Sequence, residues 1–454
     1  MLQFLPIFTI AQVPAPTPTP TPVEVLQPQQ VRPLPGQLDT VPVFNSNSPE
    51  LVLNEGILLS TFPPEGKQVP AAHLNFPFQG RFDIFAHHVA RAPTPGDLRT
   101  LYQGIIVNNP GTRPVRIDIL QAASYLSQPD APFIELSPLL DNTTGTVFAG
   151  PGSRVMSDVL RGMRQNIFPS QLVIQPGGSQ MIVNLPIPVA TLTPPLNGRS
   201  TLMRLRSNGR IYMASLAMFA PRDANGNERA PTLVEWENLL LLGKLSEPRD
   251  RVPTPIEQTS KVVYGRVAGV AQGSQWTAQL VDNPRSQVLN IPQPGQAFSY
   301  GLSTLHVGRL GTGQNQSARM LVRYPDTAYE AHGNYGIHYN LSLPLVNNTP
   351  QPQTVAVTVQ TPIKEDQLSK PGLRFFEPPQ RQVFFRGTVR LRYNDDQNQP
   401  QTRFVHLVQR RGQQGELLVL LSMKPGERRL VEVDFLYPPD ATPPQVLTVR
   451  TLQR

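Results

Sequence analysis

Short stretches in which apolar and polar residues alternate with a period of two recur along most of this 454-residue chain. That is the pattern of antiparallel strands with one buried face. In the first half it predicts strands at 56–61, 80–85, 101–107, 115–120, 172–174, 181–185, 201–205 and 211–219. Ser207-Asn208-Gly209 between the last two has the chemistry of a tight hairpin turn, because Asn-Gly accepts positive φ. In the second half, 383–393 and 402–409 alternate on either side of a polar 394–401 segment and predict a long exposed hairpin.

Helical spacing interrupts the alternation twice. Val155, Val159, Leu160 and Met163 predict a helix over 152–165 that lids one end of the first set of strands. Thr232 followed three residues later by Glu235 is a capping-box pattern, and Leu233, Trp236, Leu239 and Leu240 supply an apolar stripe ended by Gly243. The position of this second helix between the halves predicts that it packs across a domain junction, with Trp236 as anchor.

The pattern also repeats. Ile105-Ile106-Val107-Asn108-Asn109 and the strand from Pro114 return as Pro344-Leu345-Val346-Asn347-Asn348 and the strand from Thr354. Leu172-Val173-Ile174-Gln175-Pro176-Gly177 returns as Leu421-Ser422-Met423-Lys424-Pro425-Gly426, and each copy runs on into a Thr-Pro-Pro, at Thr193 and Thr442. Matched landmarks in the same order argue for a duplicated β unit. The 51 prolines, spread along the chain, favour short strands joined by rigid turns. The expected fold is all-β: two tandem antiparallel β-sandwich domains, Ig-like or jelly-roll-like, with one or two short helices. The expected division is 1–12, a signal-peptide remnant; 13–30, a Pro/Thr-rich spacer; 31–225, the first sandwich; 226–261, junction helix and Pro-rich linker; and 262–454, the second sandwich.

The net charge of +8 raises nucleic acid as a partner, but the arginines are scattered, without a basic run or interleaved aromatic platform, and no nucleic-acid binding is expected. Cysteine is absent, which excludes thiol catalysis, thiolate metal sites and disulfides. The apolar run from Met1 to Ala11, followed by a Pro/Thr repeat, reads as an export signal and an extended stalk, and no stretch is long enough for a transmembrane helix.

Histidine is the scarcest catalytic resource, at 73, 87, 88, 306, 332, 338 and 406. His87 and His88 precede the first repeat landmark and His332 precedes the second, a placement that suggests a duplicated site. Adjacent His87 and His88 point to opposite faces of an extended strand, whereas His332 and His338 would share one. These four and Trp236 are the candidate binding residues; no catalytic residue, metal or cofactor is assigned. Asp223-Ala224-Asn225-Gly226-Asn227-Glu228 departs from the calcium-loop register and reads as a turn. The hydrolase elbow, nucleotide-binding loops and zinc-protease motif are not found.

Five phrases carry a resemblance: Phe44-Asn45-Ser46-Asn47-Ser48-Pro49-Glu50, Phe85-Ala86-His87-His88, Pro194-Pro195-Leu196-Asn197-Gly198-Arg199-Ser200-Thr201, Tyr264-Gly265-Arg266-Val267-Ala268-Gly269-Val270 and Tyr324-Pro325-Asp326-Thr327-Ala328-Tyr329. Through them the chain after the spacer resembles an uncharacterised family of exported cyanobacterial proteins carrying a domain of unknown function. The resemblance implies a periplasmic, extracellular or envelope location and no reaction. The functional expectation is a non-enzymatic envelope protein that binds or organises a surface glycan or protein. The alternatives are a glycan hydrolase with an interdomain cleft, which requires a histidine near a carboxylate in a concave pocket, and an assembly module acting by strand pairing.

Overall fold

A computed structural model describes residues 21–258 and 262–453. The signal-peptide remnant at 1–12 and the first part of the spacer lie outside the described residues. Among the described residues regular structure is almost entirely β, with two α-helices, Pro151–Leu160 (α1) and Leu233–Leu242 (α2). Most expected strands form and run beyond the stretch whose alternation marked them: 80–85 lies inside Phe78–Arg91, and 115–120 opens Val115–Leu126.

The spine of a twelve-stranded sheet is Leu196–Phe219. Its first part pairs with Phe78–Arg91 and Val115–Leu126, and its second with Leu101–Asn108 and Gly56–Ser60. The hairpin expected at Ser207-Asn208-Gly209 does not form. The chain continues in one direction through a bulge between Ser207 and Ile211, where it exchanges one set of partners for the other. The Asn208 side chain accepts the Arg116 N–H at 2.8 Å, which extends the ladder instead of closing a turn. Ile105, Val107, Met203, Leu205 and Met213, from both parts, share a core with Phe78 and Phe82. In the second half a seven-stranded and a five-stranded sheet enclose Leu341, Leu343, Val357, Val389, Val433 and Val449.

The halves exchange strands across the boundaries expected from sequence. Val23–Gln27, assigned to the spacer, pairs with Leu373–Glu377, and Gln30–Arg32 pairs with Phe298–Tyr300. Ala268–Gln272 lies beside Pro42–Ser46 and extends the first sheet, while Leu139–Asp141 joins the edge of the second half's sheet. Edge strands have unpaired backbone groups, and a neighbouring segment that pairs with them covers that edge.

Equivalent strand pairings recur in the two halves. Leu101–Asn108 pairs with Ser179–Ile187 as His338–Val346 pairs with Arg428–Leu436. Val115–Leu126 pairs with Gln171–Ile174 and Leu196–Phe219, as Gln353–Gln360 pairs with Val419–Met423 and Gln445–Thr451. The structural correspondence is shifted by one residue from that of the sequence: Asn109 matches Asn347, not Asn348. Both asparagines are fully buried. Nδ2 of Asn109 donates to Arg113 O (2.7 Å) and Ile174 O (3.0 Å), and its Oδ1 accepts from Gly111 N. Nδ2 of Asn347 donates to Gln351 O and Met423 O (both 2.9 Å), and its Oδ1 accepts from Thr349 N. Each thereby ties the connection between two strands to the turn of a hairpin that crosses it.

The helices exchange their expected places. Nine of the ten α1 residues are buried, all but Arg154, because α1 lies between the sheet of the first half and Val383–Asn394 and Arg428–Leu436 of the second. Gly152 is required there, since a Cβ would overlap the Pro439 ring. The capping box and Gly243 terminus of α2 are as expected, but α2 covers the first half's own strands and not the junction. Trp236 is fully buried, with Nε1 donating to Asn184 Oδ1 at 3.3 Å. Its indole fits because Gly104 has no Cβ, which would come within 2.8 Å of the ring. Trp236 is therefore a core residue and not a ligand platform.

Two outcomes follow. Asn347→Ala, which strands buried carbonyls, lowers unfolding stability by about 2–4 kcal/mol, whereas Asn348→Ala, at an exposed site, changes it little; urea titration separates the two. Gly152→Val loosens the contact between the halves, and limited proteolysis then cleaves between them faster than in the parent chain.

Candidate functional site

The two Thr-Pro-Pro loops meet. Leu192, Thr193 and Pro194 of the first copy and Pro439, Asp440, Ala441 and Thr442 of the second line one cleft of about 650 Å³. A second cavity, beside Tyr264 and His332, measures about 30 Å³, space for little more than water. The floor of the cleft is the paired strands Phe78–Arg91 and Leu196–Phe219, which place His87 directly opposite Ser200. Pro151 and Gly152 of α1, Phe133, Glu50, Arg266 and Tyr335 complete the wall.

Its ionised groups are matched. Glu50 forms an ion pair with Arg266, which crosses from the other half of the chain. Asp440 lies 3.3 Å from Arg386 Nη1, yet neither of its oxygens accepts a hydrogen bond from the described residues. Burial pushes the Asp440 carboxyl up to about 6 against the pull of Arg386, and burial also raises Glu50 against the pull of Arg266. His87 Nδ1 shares a hydrogen bond with Ser200 Oγ at 2.8 Å, and Nε2 stands 3.7 Å from Glu50 Oε1. Burial lowers the His87 ring to about 3. Ser200, His87 and Glu50 thus form a line, but a ring that refuses a proton down to that pH is a poor general base. It serves as a neutral hydrogen-bonding group.

Phe133 lines the same cleft and is 56% exposed. One side of the ring lies against Gly150, where a Cβ would overlap it, and the Arg386 guanidinium is 5.1 Å from its centroid.

A family model described as "Protein of unknown function (DUF3370)" matches residues 29–451. The chain belongs to this family. No curated protein matches it.

Of the candidates read from the sequence of this DUF3370 chain, His87 lines the cleft and the others are placed elsewhere. His88 points to the opposite face, as its position beside His87 requires. Its Nδ1–H donates to Pro49 O (2.8 Å) and its Nε2 shares a hydrogen bond with Ser46 Oγ (2.9 Å), and burial lowers the ring to about 4. His332 donates from Nε2 to Gly265 O at 2.8 Å and lies against Tyr264. His338 faces Asp434, which Arg390 also holds. The histidines therefore do not form a duplicated site. What the two copies contribute jointly is the pair of Thr-Pro-Pro loops. The turn read at Asp223 forms: the Asp223 carboxylate accepts the N–H groups of Asn225 and Asn227. Glu50, Arg266, Phe133 and Asp440 were not candidates from the sequence because each sits in a loop without a catalytic motif; the available signals were the repeated Thr-Pro-Pro and, for Glu50 and Arg266, their place inside two of the phrases that carry the resemblance.

These shifts set the pH dependence of folding. His73, His88, His332 and His406 are lowered to about 4 and His87 to about 3, in each case chiefly by burial. The unfolded chain binds those protons first, so stability falls as pH drops from 6.5 toward 4. Asp440 works in the opposite sense: its folded carboxyl holds a proton up to about 6, and the stability this gives is lost as pH rises through that value. The net expectation is a lower urea midpoint at pH 5 than at pH 7.5, because the five histidines outweigh Asp440. Asp440→Asn raises the midpoint at pH 7.5 and leaves it unchanged at pH 4; a decrease at pH 7.5 would mean that pairing with Arg386 outweighs burial.

Proposed function

We propose that this chain is an exported, non-enzymatic protein of the cell envelope that holds a surface component in the cleft shared by its two repeats. The observation that carries this reading is the convergence of both Thr-Pro-Pro loops, far apart in sequence, on one concave surface. Ligand sites are commonly concave, largely preformed and placed between structural units. The apolar N-terminal run and the Pro/Thr repeat support export. The matched charges of the wall and the low proton affinity of His87 support holding over turnover.

Hydrolysis of an envelope glycan is the second reading, favoured by two observations: His87 stands 3.7 Å from the Glu50 carboxylate in a concave pocket, as that reading requires, and Glu50 and Asp440 line the same cleft with both carboxyls raised by burial. Strand pairing gains no support here. The floor strands are internal, each bonded on both sides.

Purified chain is expected to be retained on isolated envelopes from the native host, without release of reducing sugar. Leu196→Trp, at a cleft residue 43% exposed, reduces retention at least tenfold, while Leu430→Trp, at a residue 52% exposed that is not among the cleft residues, leaves it unchanged. Equal retention of both variants rejects the cleft as the binding surface. Release of reducing sugar favours the hydrolase.

A further inference from the structure

We infer that the occupant of the cleft is a neutral oligosaccharide, with one sugar ring stacked on Phe133; this rests on the binding role proposed above and specifies its ligand class. Three features of the wall select that chemistry.

The first is charge. Glu50 is matched by Arg266 and Asp440 by Arg386, and His87 is uncharged, so the wall leaves no surplus charge for an ionic ligand. Taking a carboxylate or ammonium from water into this cleft would cost desolvation with no opposite charge to offset it.

The second is the aromatic surface. A contiguous exposed apolar patch is informative where a single exposed side chain is not, and Phe133 lines the cleft together with Leu192, Pro194 and Leu196. Phe133 is held against the Gly150 backbone on one side and bordered by Arg386, and it lines the cleft. A sugar ring has an apolar C–H face and a hydroxyl rim. Here the C–H face has Phe133, with Leu192, Pro194 and Leu196 beyond it. The rim has the Gln128 amide and the Thr442 hydroxyl; among the described residues the hydrogen bonds of both run through their backbone groups.

The third is what the cleft lacks for a peptide. An extended peptide gains affinity from a free sheet edge, and two residues of the cleft floor are already paired on both sides, Ser200 with His87 and Tyr125 and Val89 with Gly198 and Leu51.

Asp440 acts as a positioning residue. It holds Arg386, and Arg386 borders Phe133. Its oxygens are themselves shut off from solvent, so it reaches the ligand through the other two side chains.

The test is isothermal titration of the full chain with cellopentaose, chitopentaose and maltopentaose, and with pentagalacturonate as an acidic oligomer of equal length. At least one neutral oligomer is expected to bind and to elute the chain from envelopes. Phe133→Ala weakens that binding at least tenfold, while Phe133→Tyr stays within about threefold; both variants keep the parent unfolding midpoint because the ring is mostly exposed. Asp440→Asn weakens binding less than Phe133→Ala does. Binding of the acidic oligomer alone, no binding of any neutral oligomer, or insensitivity to Phe133→Ala overturns the inference. If envelope retention still depends on Leu196 while no neutral oligomer binds, the ligand class is wrong and the binding role stands. If retention also fails to depend on Leu196, both fall.

Discussion

Asn109 and Asn347 occupy the same place in the two repeats, where a connection between strands crosses the turn of a hairpin. Backbone groups at such a crossing have no ladder partner, and leaving them unpaired in a dry core is costly. One buried side-chain amide reaches both segments and satisfies them. From that fixed end, Ser179–Ile187 and Arg428–Leu436, each of nine residues, run roughly 30 Å before releasing the Thr-Pro-Pro loops. The register set by the asparagines is thus what delivers those loops to the cleft. The buried helix α1, seated on Pro439 through Gly152, holds the two copies at the spacing at which the loops face each other.

The chemistry of the cleft follows from its making by two halves. Glu50 comes from the first half and Arg266 from the second; Asp440 and Arg386 belong to the second, and Arg386 reaches the ring of Phe133 from the first. Each ionised group is answered within the wall, and the histidine is kept neutral. Such a surface recognises shape and hydroxyl pattern better than charge. The basic balance of the whole chain therefore says little about this site.

Much of the fold was legible in the sequence, because a buried face imposes its period of two on each strand. The β class, the capping box at Thr232 and the repeat itself were all read from pattern. Register was not: the copies align one residue off in sequence because buried Asn347 and exposed Asn348 are the same letter, and only the burial of one of them tells the two apart. The halves exchange strands at Val23–Gln27 and Leu139–Asp141 through pairings more than two hundred residues apart, which no local pattern encodes. The two helices were found but their roles were reversed, since an apolar stripe announces burial without naming the surface that buries it. Among the site residues, His87 was found by scarcity and Phe133, Arg266 and Asp440 were missed, because their importance comes from meeting in space.

The central claim is that the two repeats share one binding surface. Hydrogen–deuterium exchange of the full chain, measured with and without soluble fragments of the host envelope, tests it most directly. The account predicts added protection at 192–194 and 439–442 together, with 130–135 following. Protection confined to one repeat, or to segments remote from both loops, would contradict it.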